Sequence, residues 1–568
     1  MRTARALLLG TALVSCAREP AGPSVLLITL DTTRADALGC FGNPTQGVSP
    51  HLDALMQRGI LYENAHSVAP LTLPAHASIL TGLVPPRHGI RNNGPWLLPQ
   101  SARTLAEAAR EGGYQTAAFV AAVVLDRAFA LDQGFETYSG PAIAARQEHY
   151  EVASLSAREV VDRAITWLAV RDPARPFFLW IHLFEPHQPY VPPPEFMTPD
   201  MGTDTYLGEI ATMDHEIGRL LGHLQEKALS TSTAILVVGD HGEALGEKGE
   251  ETHGVLCYEQ SLHVPFILAR PDGERAGERS RAQVSIADVA PTLAEAMGVV
   301  LADDLDGTSL WSGDPPEARG VYFESYMGYL ELASSPLAGW VDAGGKYLES
   351  STPEFYRLDS DPLEQTSDVE AADVEHYRAA MAGVFARPPL APQASALDES
   401  LLAGIRALGY AAGASQAELP NPLEKSTRPS PREMVSELSE LVRAAGLVDA
   451  GEHEAALAIV RPLVTAHPEM ARALALEATC LIALGRNEEA LEPLQRYLQL
   501  APGRAVEHFN LGLCLKSAGR TEEAVASFER ALALEPAKPA WLPGFVAYLR
   551  QSGKEGDAAA LEARYREP

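Results

Sequence analysis

The chain has 568 residues and a formal net charge of −30 at pH 7. That length holds one large domain and at least one more, and that charge, with no basic patch to break it, argues against nucleic acid as a partner. Five cysteines, none in a CxxC pair, argue against a thiolate zinc site.

In chain order, Arg2 and Arg5 precede a short apolar stretch at residues 6–14, which closes on Ser15 and Cys16. A basic start followed by a short apolar run predicts a signal segment over residues 1–16, too short to span a membrane. Residues 24–30 (SVLLITL) form a continuous apolar run of strand length, expected in the buried interior of a parallel sheet and ending at Asp31. Thr72 opens a predicted helix in which Pro74 suits the first turn and Gly82 the C-terminal cap. A hydroxyl there faces unpaired backbone N–H groups and the positive end of the dipole, which favours an alkoxide and a bound oxyanion. The plainer role for Thr72 is an N-cap. Thr104 and Glu107 make a capping box that opens a helix ending near Gly112, and residues 114–120 then read as a strand. Residues 233–239 (TAILVVG) form a second buried-strand run, ending in Asp240-His241-Gly242-Glu243. Strand and helix patterns alternate to about residue 350, so the fold class is α/β, a mixed, mostly parallel sheet with helices on both faces.

Residues 386–431, rich in Ala, Pro and Ser, read as a linker, with a short helix at 401–408. Beyond it Gly451, Gly485, Gly519 and Gly553 recur every 34 residues, as do Ala456, Ala490, Ala524 and Ala558, and Pro468, Pro502 and Pro536. That period, at those residue types, is the signature of tetratricopeptide helix pairs, an all-α solenoid over residues 432–568. Cys480 and Cys514 keep the same step, so packing accounts for them. A disulfide between Cys40 and Cys257 is conceivable in an oxidising compartment, but buried free thiols are the preferred reading.

Open α/β sheets bind ligands at the carboxyl ends of their strands. Two strands bring Asp31, Asp240 and His241 to that edge, a plausible ligand set for one divalent cation. Zinc or manganese suits the oxygen and imidazole mix best, with calcium as the further candidate. Such a cation would also lower the pKa of a coordinated Thr72 hydroxyl.

These stretches together resemble a sulfatase-like hydrolase of the alkaline phosphatase superfamily. The first metal motif is matched by residues 29–36 (TLDTTRAD), the nucleophile motif by residues 72–82 (TLPAHASILTG), and the second metal motif by residues 240–243 (DHGE). Residues 177–187 (FFLWIHLFEPH) resemble the strand that brings in a substrate-facing His. The resemblance implies a catalytic domain over residues 23–385 and a metal set of Asp31, Thr72, Asp240 and His241. It also implies leaving-group acids in His187 and His253, and substrate contacts from His76 and Asn93. Cys16 at the cleavage point resembles a bacterial lipobox. That implies an exported protein anchored in the cell envelope by lipid on Cys16 and facing the periplasm, at the outer membrane since Ala17 follows.

The pattern departs from sulfatases at the nucleophile. They carry Cys or Ser, oxidised to formylglycine, whereas Thr72 has a methyl on Cβ and gives no such aldehyde. Thr nucleophiles resemble the superfamily's phosphodiesterases and phosphoryl-group transferases. The expected activity is metal-dependent cleavage of an anionic phosphoester, or of a sulfate ester, through a covalent Thr72 intermediate. The competing expectations are a transferase with the same covalent step, or a non-catalytic envelope scaffold. In either case the repeat groove would bind a protein or peptide partner or pack on the catalytic domain. A second cation held by Glu185, His187 and His253 ranks below the one-cation reading.

Overall fold

The computed structural model describes residues 22–94, 96–141, 154–391, 419–534 and 541–564. The signal segment with Cys16, the helix expected at 401–408 and Pro536 lie outside the described residues. Eight strands form the main sheet: β1 (Ser24–Leu30), β2 (Ile60–His66), β3 (Gln115–Val120), β4 (Thr137–Ser139), β5 (Phe177–Leu183), β6 (Thr233–Gly239), β7 (Phe266–Ala269) and β8 (Arg279–Ser285). Their order is β4-β3-β5-β1-β6-β7-β2-β8. β4, β3, β5, β1 and β6 run parallel to one another, β2 and β8 are parallel to each other, and β7 runs antiparallel to both β6 and β2.

β1 reads as an unbroken apolar run because both of its faces are covered. Val25 and Leu27 pack on one side, in the core that includes Leu73, Ile79 and Leu80 of the helix Thr72–Thr81. Leu26, Ile28 and Leu30 pack on the other, against Val160 of the helix Ala157–Val170 and Ile217 of the helix Thr205–Glu226. The sandwich thus follows from the alternation of side chains along one strand.

Residues 321–356 hold a feature the alternating pattern did not foretell. They form a second, antiparallel sheet of β9 (Val321–Ser325), β10 (Leu337–Asp342), β11 (Gly345–Glu349) and β12 (Glu354–Tyr356), in the order β12-β11-β10-β9.

From Pro431 onward the described chain is helical. The four pairs are Pro431–Asp449 with His453–Ala466, Ala471–Ala483 with Asn487–Leu500, Ala505–Ser517 with Thr521–Leu534, and Leu542–Gln551 with Glu555–Arg564. Gly451, Gly485, Gly519 and Gly553 sit in the turn of each pair with φ of 77°, 71°, 71° and 74°, the left-handed region that glycine enters without cost. Ala456, Ala490, Ala524 and Ala558 are fully buried, the small residues that let paired helices close up.

The array packs on the catalytic domain. Ser335 N–H donates to Pro429 O (2.8 Å), Arg432 pairs with Glu354 (2.6 Å), and Arg472 reaches the buried Glu331 (3.1 Å). Val435 of the first repeat helix lies against Gly249, in the segment that follows the second metal motif.

Candidate active site

The ladders of β1, β5 and β6 run past their last residues. Asp31 N–H donates to Leu183 O (3.0 Å) and Asp240 N–H to Leu30 O (3.1 Å), which delivers both carboxylates to one sheet edge. Thr32 then turns with φ of 46°, a strained value for a β-branched residue. It is held by its N–H on Asp240 Oδ1 (3.2 Å) and by Tyr206 Oη donating to its carbonyl (2.7 Å).

Asp31 Oδ1, Asp31 Oδ2 and Asp240 Oδ2 are buried and have no hydrogen-bond partner. His241 Nε2 stands 3.8 Å from Asp31 Oδ1, 3.6 Å from Asp240 Oδ2 and 3.3 Å from Thr72 Oγ1. Ligands held about 2.1 Å from a tetrahedral zinc lie roughly 3.4 Å apart, so these spacings fit a divalent cation. The electrostatics agree. Burial pushes Asp31 up to about 6, against the pull of His187 and His253, and burial together with the Asp31 charge pushes Asp240 well above the carboxylate range. Two adjacent carboxylates in a dry site call for a cation to hold them both as anions.

His241 is prepared as a ligand. Burial pulls its imidazole well below the usual range, and the ring donates Nδ1–H to Gly242 O (3.0 Å), so the Nε2 lone pair faces the carboxylates.

Thr72 is the first residue of its helix, and its hydroxyl does not cap it. Asn93 Oδ1 instead accepts Leu73 N–H (2.9 Å), while the Asn93 amide nitrogen is buried and unpartnered. The Thr72 hydroxyl is thereby left to the centre, and Asn93 keeps two free N–H bonds for an oxyanion.

His253 Nδ1 meets Glu243 Oε1 at 3.1 Å, and its ring lies 4.5 Å from that of His241 and 5.3 Å from that of His187. Burial lowers its pKa, but the facing Glu243 carboxylate outweighs that and raises the group overall. His187 stacks on Phe184 at 4.3 Å, donates Nδ1–H to Gln188 O (2.8 Å) and is lowered by burial.

Two expectations are corrected. His76 does not face substrate: its Nδ1 meets Thr72 O at 2.8 Å and its Nε2 meets Thr29 Oγ1 at 3.0 Å, beneath the site. A helix turn places residue 76 directly over residue 72, so the ring folds back along its own helix. Glu185 is turned to the start of a helix, where both its oxygens accept Ala157 N–H (2.9 and 3.1 Å), rather than to His187 and His253. His182, absent from the expected site, lies inside it with Nε2 3.2 Å from Asp31 Oδ2. Its only signal in the sequence is a histidine inside the apolar run of β5. The four described cysteines are free thiols.

A mixed sheet whose central strands carry two carboxylates and an imidazole to one edge, beside a hydroxyl at a helix N-terminus, is the arrangement expected of a sulfatase-like hydrolase. Residues 23–299 match the sulfatase family, and residues 447–509 and 505–538 match tetratricopeptide repeats. The chain therefore carries a sulfatase-family hydrolase domain followed by tetratricopeptide repeats. It is 24% identical over 441 residues to an arylsulfatase of Clostridium perfringens (strain 13 / Type A), spanning 62% of this chain and 91% of that protein. The fold is shared with BT4656 in complex with its substrate D-glucosamine-2-N,6-O-disulfate, at a TM-score of 0.55 and 20% identity over 62% of this chain and 95% of that one. It is shared also with the phosphonate monoester hydrolase of Agrobacterium radiobacter, at a TM-score of 0.52 and 23% identity over 68% and 95% of the two chains.

Proposed function

We propose that this protein hydrolyses a singly charged phosphoester, a phosphodiester or phosphonate monoester in preference to a sulfate ester, with Thr72 as the nucleophile. The observation that carries this reading is the Thr72 hydroxyl, uncommitted to its own helix and 3.3 Å from His241 Nε2 beside two unpartnered carboxylates. Asp31, Asp240, His241 and the Thr72 hydroxyl would hold one divalent cation, zinc or manganese. When bound, it supplies acidity to the hydroxyl and charge to balance the ester oxygens.

This chain's own groups do the rest. Thr72 Oγ1 forms a bond to phosphorus as the bond to the leaving oxygen breaks, and the hydroxyl proton passes to solvent. His253, with Nδ1 held by Glu243, gives its Nε2 proton to the leaving oxygen. Water then attacks the phosphothreonine, the P–Oγ1 bond breaks, His253 takes a proton from the water, and Thr72 Oγ1 regains its proton from solvent. Asn93 N–H bonds steady a non-bridging oxygen, and His187 flanks the leaving group.

Two arguments favour phosphorus and a single negative charge. A threonine ester has no second hydroxyl on Cβ and cannot expel sulfate by forming an aldehyde, so both displacements must occur at the central atom, which suits phosphorus. Among the described residues no lysine or arginine forms a salt bridge with Asp31, Asp240 or Glu243, so the positive charge at the site comes chiefly from the cation and His253, which suits a singly charged ester better than a dianion. The relatives named above, an arylsulfatase and a phosphonate monoester hydrolase, support ester cleavage of both kinds as the chemistry to test. The test is turnover of an aryl phosphodiester, an aryl phosphonate monoester, an aryl phosphomonoester and an aryl sulfate by the manganese- or zinc-loaded full chain. Faster turnover of the two monoanionic phosphorus esters supports the reading. Preference for the sulfate or the phosphomonoester contradicts it.

We propose further that the protein is exported and anchored by lipid on Cys16. The repeat array, tied to the catalytic domain through its first helix, would present its remaining surface to a protein partner.

A further inference from the structure

Two imidazoles lie beneath the candidate cation position, both fully buried and edge to face with ring centroids 4.8 Å apart. His76, His182 and Asp240 present ligand atoms within 4.8 Å of one another, so on distance alone they make a second metal position. Their tautomers argue otherwise, because each is fixed by a backbone group that cannot change its role.

Ala121 N–H can only donate, and it points at His182 Nδ1 (3.3 Å). That nitrogen is therefore bare and the proton sits on Nε2, which faces Asp31 Oδ2 at 3.2 Å. A nitrogen that carries a proton offers no lone pair to a metal. The contact is bent away from hydrogen-bond alignment, so both atoms still count as unpartnered. The carboxylate thus needs only a small rotation to complete the bond.

The Thr72 carbonyl can only accept, and it lies 2.8 Å from His76 Nδ1, which must carry the proton. His76 Nε2 is then bare and takes the proton of Thr29 Oγ1 (3.0 Å), whose oxygen in turn accepts from Trp180 Nε1–H (2.9 Å). The alternative acceptor for Thr29, Ile181 O, is farther at 3.5 Å. The same His76 Nδ1–H lies 3.5 Å from Asp240 Oδ2.

We infer that His182 and His76 are positioning residues: His182 aims Asp31 through Nε2–H, and His76 pins the Thr72 backbone through Nδ1–H beside Asp240, neither being a ligand of a second cation. This rests on the proposed role of Asp31, Thr72 and Asp240 around one cation. The register supports it. His182 is the cross-strand neighbour of Thr29 on β1 and of Val120 on β3, so three adjacent strands fix where its ring stands.

Amide side chains test the inference because they place an N–H at one imidazole position and not the other. Glutamine puts its nitrogen near Nε2 and asparagine near Nδ1. On the full chain we would measure manganese stoichiometry by elemental analysis, manganese affinity by competition with a chromogenic chelator, and kcat and KM separately. Thermal melts would confirm that each variant is folded. The expected result is one manganese per chain throughout. His182→Gln should bind within about threefold of wild type, and His182→Asn about 10- to 100-fold more weakly. His76→Asn should keep kcat within about tenfold, while His76→Gln should lose about 100-fold in kcat with KM little changed. Two manganese ions in wild type and one in His182→Ala would overturn the inference in favour of a second site. Equal impairment by the Asn and Gln variants at either position would overturn it in favour of packing alone. A wild type that holds no cation would overturn the parent reading as well, a result distinct from both.

Discussion

The catalytic centre and the repeat array bury opposite things. Around Thr72 the buried atoms are polar, and Asp31, Asn92, Asn93, His182, Asp240 and Glu243 each keep at least one without a partner. In the repeats the fully buried positions include Ala456, Ala490, Ala524, Ala558, Cys480 and Cys514, which only pack. The first region gathers its unpaired polar groups around one point, where a cation and a substrate would sit, whereas in the second they are scattered, as at His453 Nδ1. Stability and chemistry should therefore separate cleanly under mutation.

The largest effect is expected at Thr72, the proposed nucleophile. Thr72→Ala should lower kcat/KM by at least about 10³-fold while leaving the melting temperature of the metal-free protein unchanged. A steady-state assay beside a thermal melt checks both halves. Asp31→Asn sharpens the contrast, because it removes one of two adjacent buried carboxylates. Manganese retention through gel filtration should be lost, yet the metal-free chain should melt about 2–4 °C higher, which corresponds to roughly 1 kcal/mol. A lower melting point would mean that the two carboxylates are not in conflict.

The array should respond the other way. Phe528→Ala empties a site packed against Phe509, Phe545 and Tyr548, and should cost about 3–5 kcal/mol in urea unfolding of the repeats. Turnover should stay within about twofold under native conditions, since kcat reports a centre that Phe528 does not touch. Gly485→Ala forces a Cβ onto φ of 71° in open space, so strain alone should cost about 1–2 kcal/mol.

The smallest effect lies between the two regions. Glu250 accepts Val255 N–H (2.7 Å), and burial pushes its carboxyl up to about 8 from an ordinary 4.5. Its favourable contribution is thus complete below pH 4.5 and is lost as pH rises through 8. Glu250→Gln mimics the protonated form. It should melt with wild type at pH 5 and about 2–4 °C above it at pH 8.5. Identical melting at both values would place the carboxyl in a wetter setting than the structure shows.

What could be read in advance depended on how local each signal was. The strands at 24–30 and 233–239, the helix opened by Thr72 and the 34-residue step are all patterns within short windows, and each stands in the structure. The helical glycine turns appear at every predicted position because one backbone conformation repeats. The second sheet was illegible as such, since its short strands pair with one another rather than continuing the alternation. His182, Glu185 and the inward turn of His76 were illegible for a stronger reason. Their partners are Asp31, Ala157 and Thr29, so only the folded register shows which way each side chain points. Asn93 was expected at the site from its motif, but the sequence did not show it as the group that caps the helix Thr72–Thr81 in place of Thr72.

The central claim is that Thr72 becomes covalently attached to the group it removes. Rapid acid quenching of the manganese-loaded chain during turnover of an aryl phosphonate monoester or phosphodiester, followed by peptide mass analysis, tests it directly. The expected result is one added phosphoryl-type group, fragmented to Thr72 and missing from Thr72→Ala. Sustained turnover with that threonine unmodified at every quench time, or with the adduct on another residue, would contradict it.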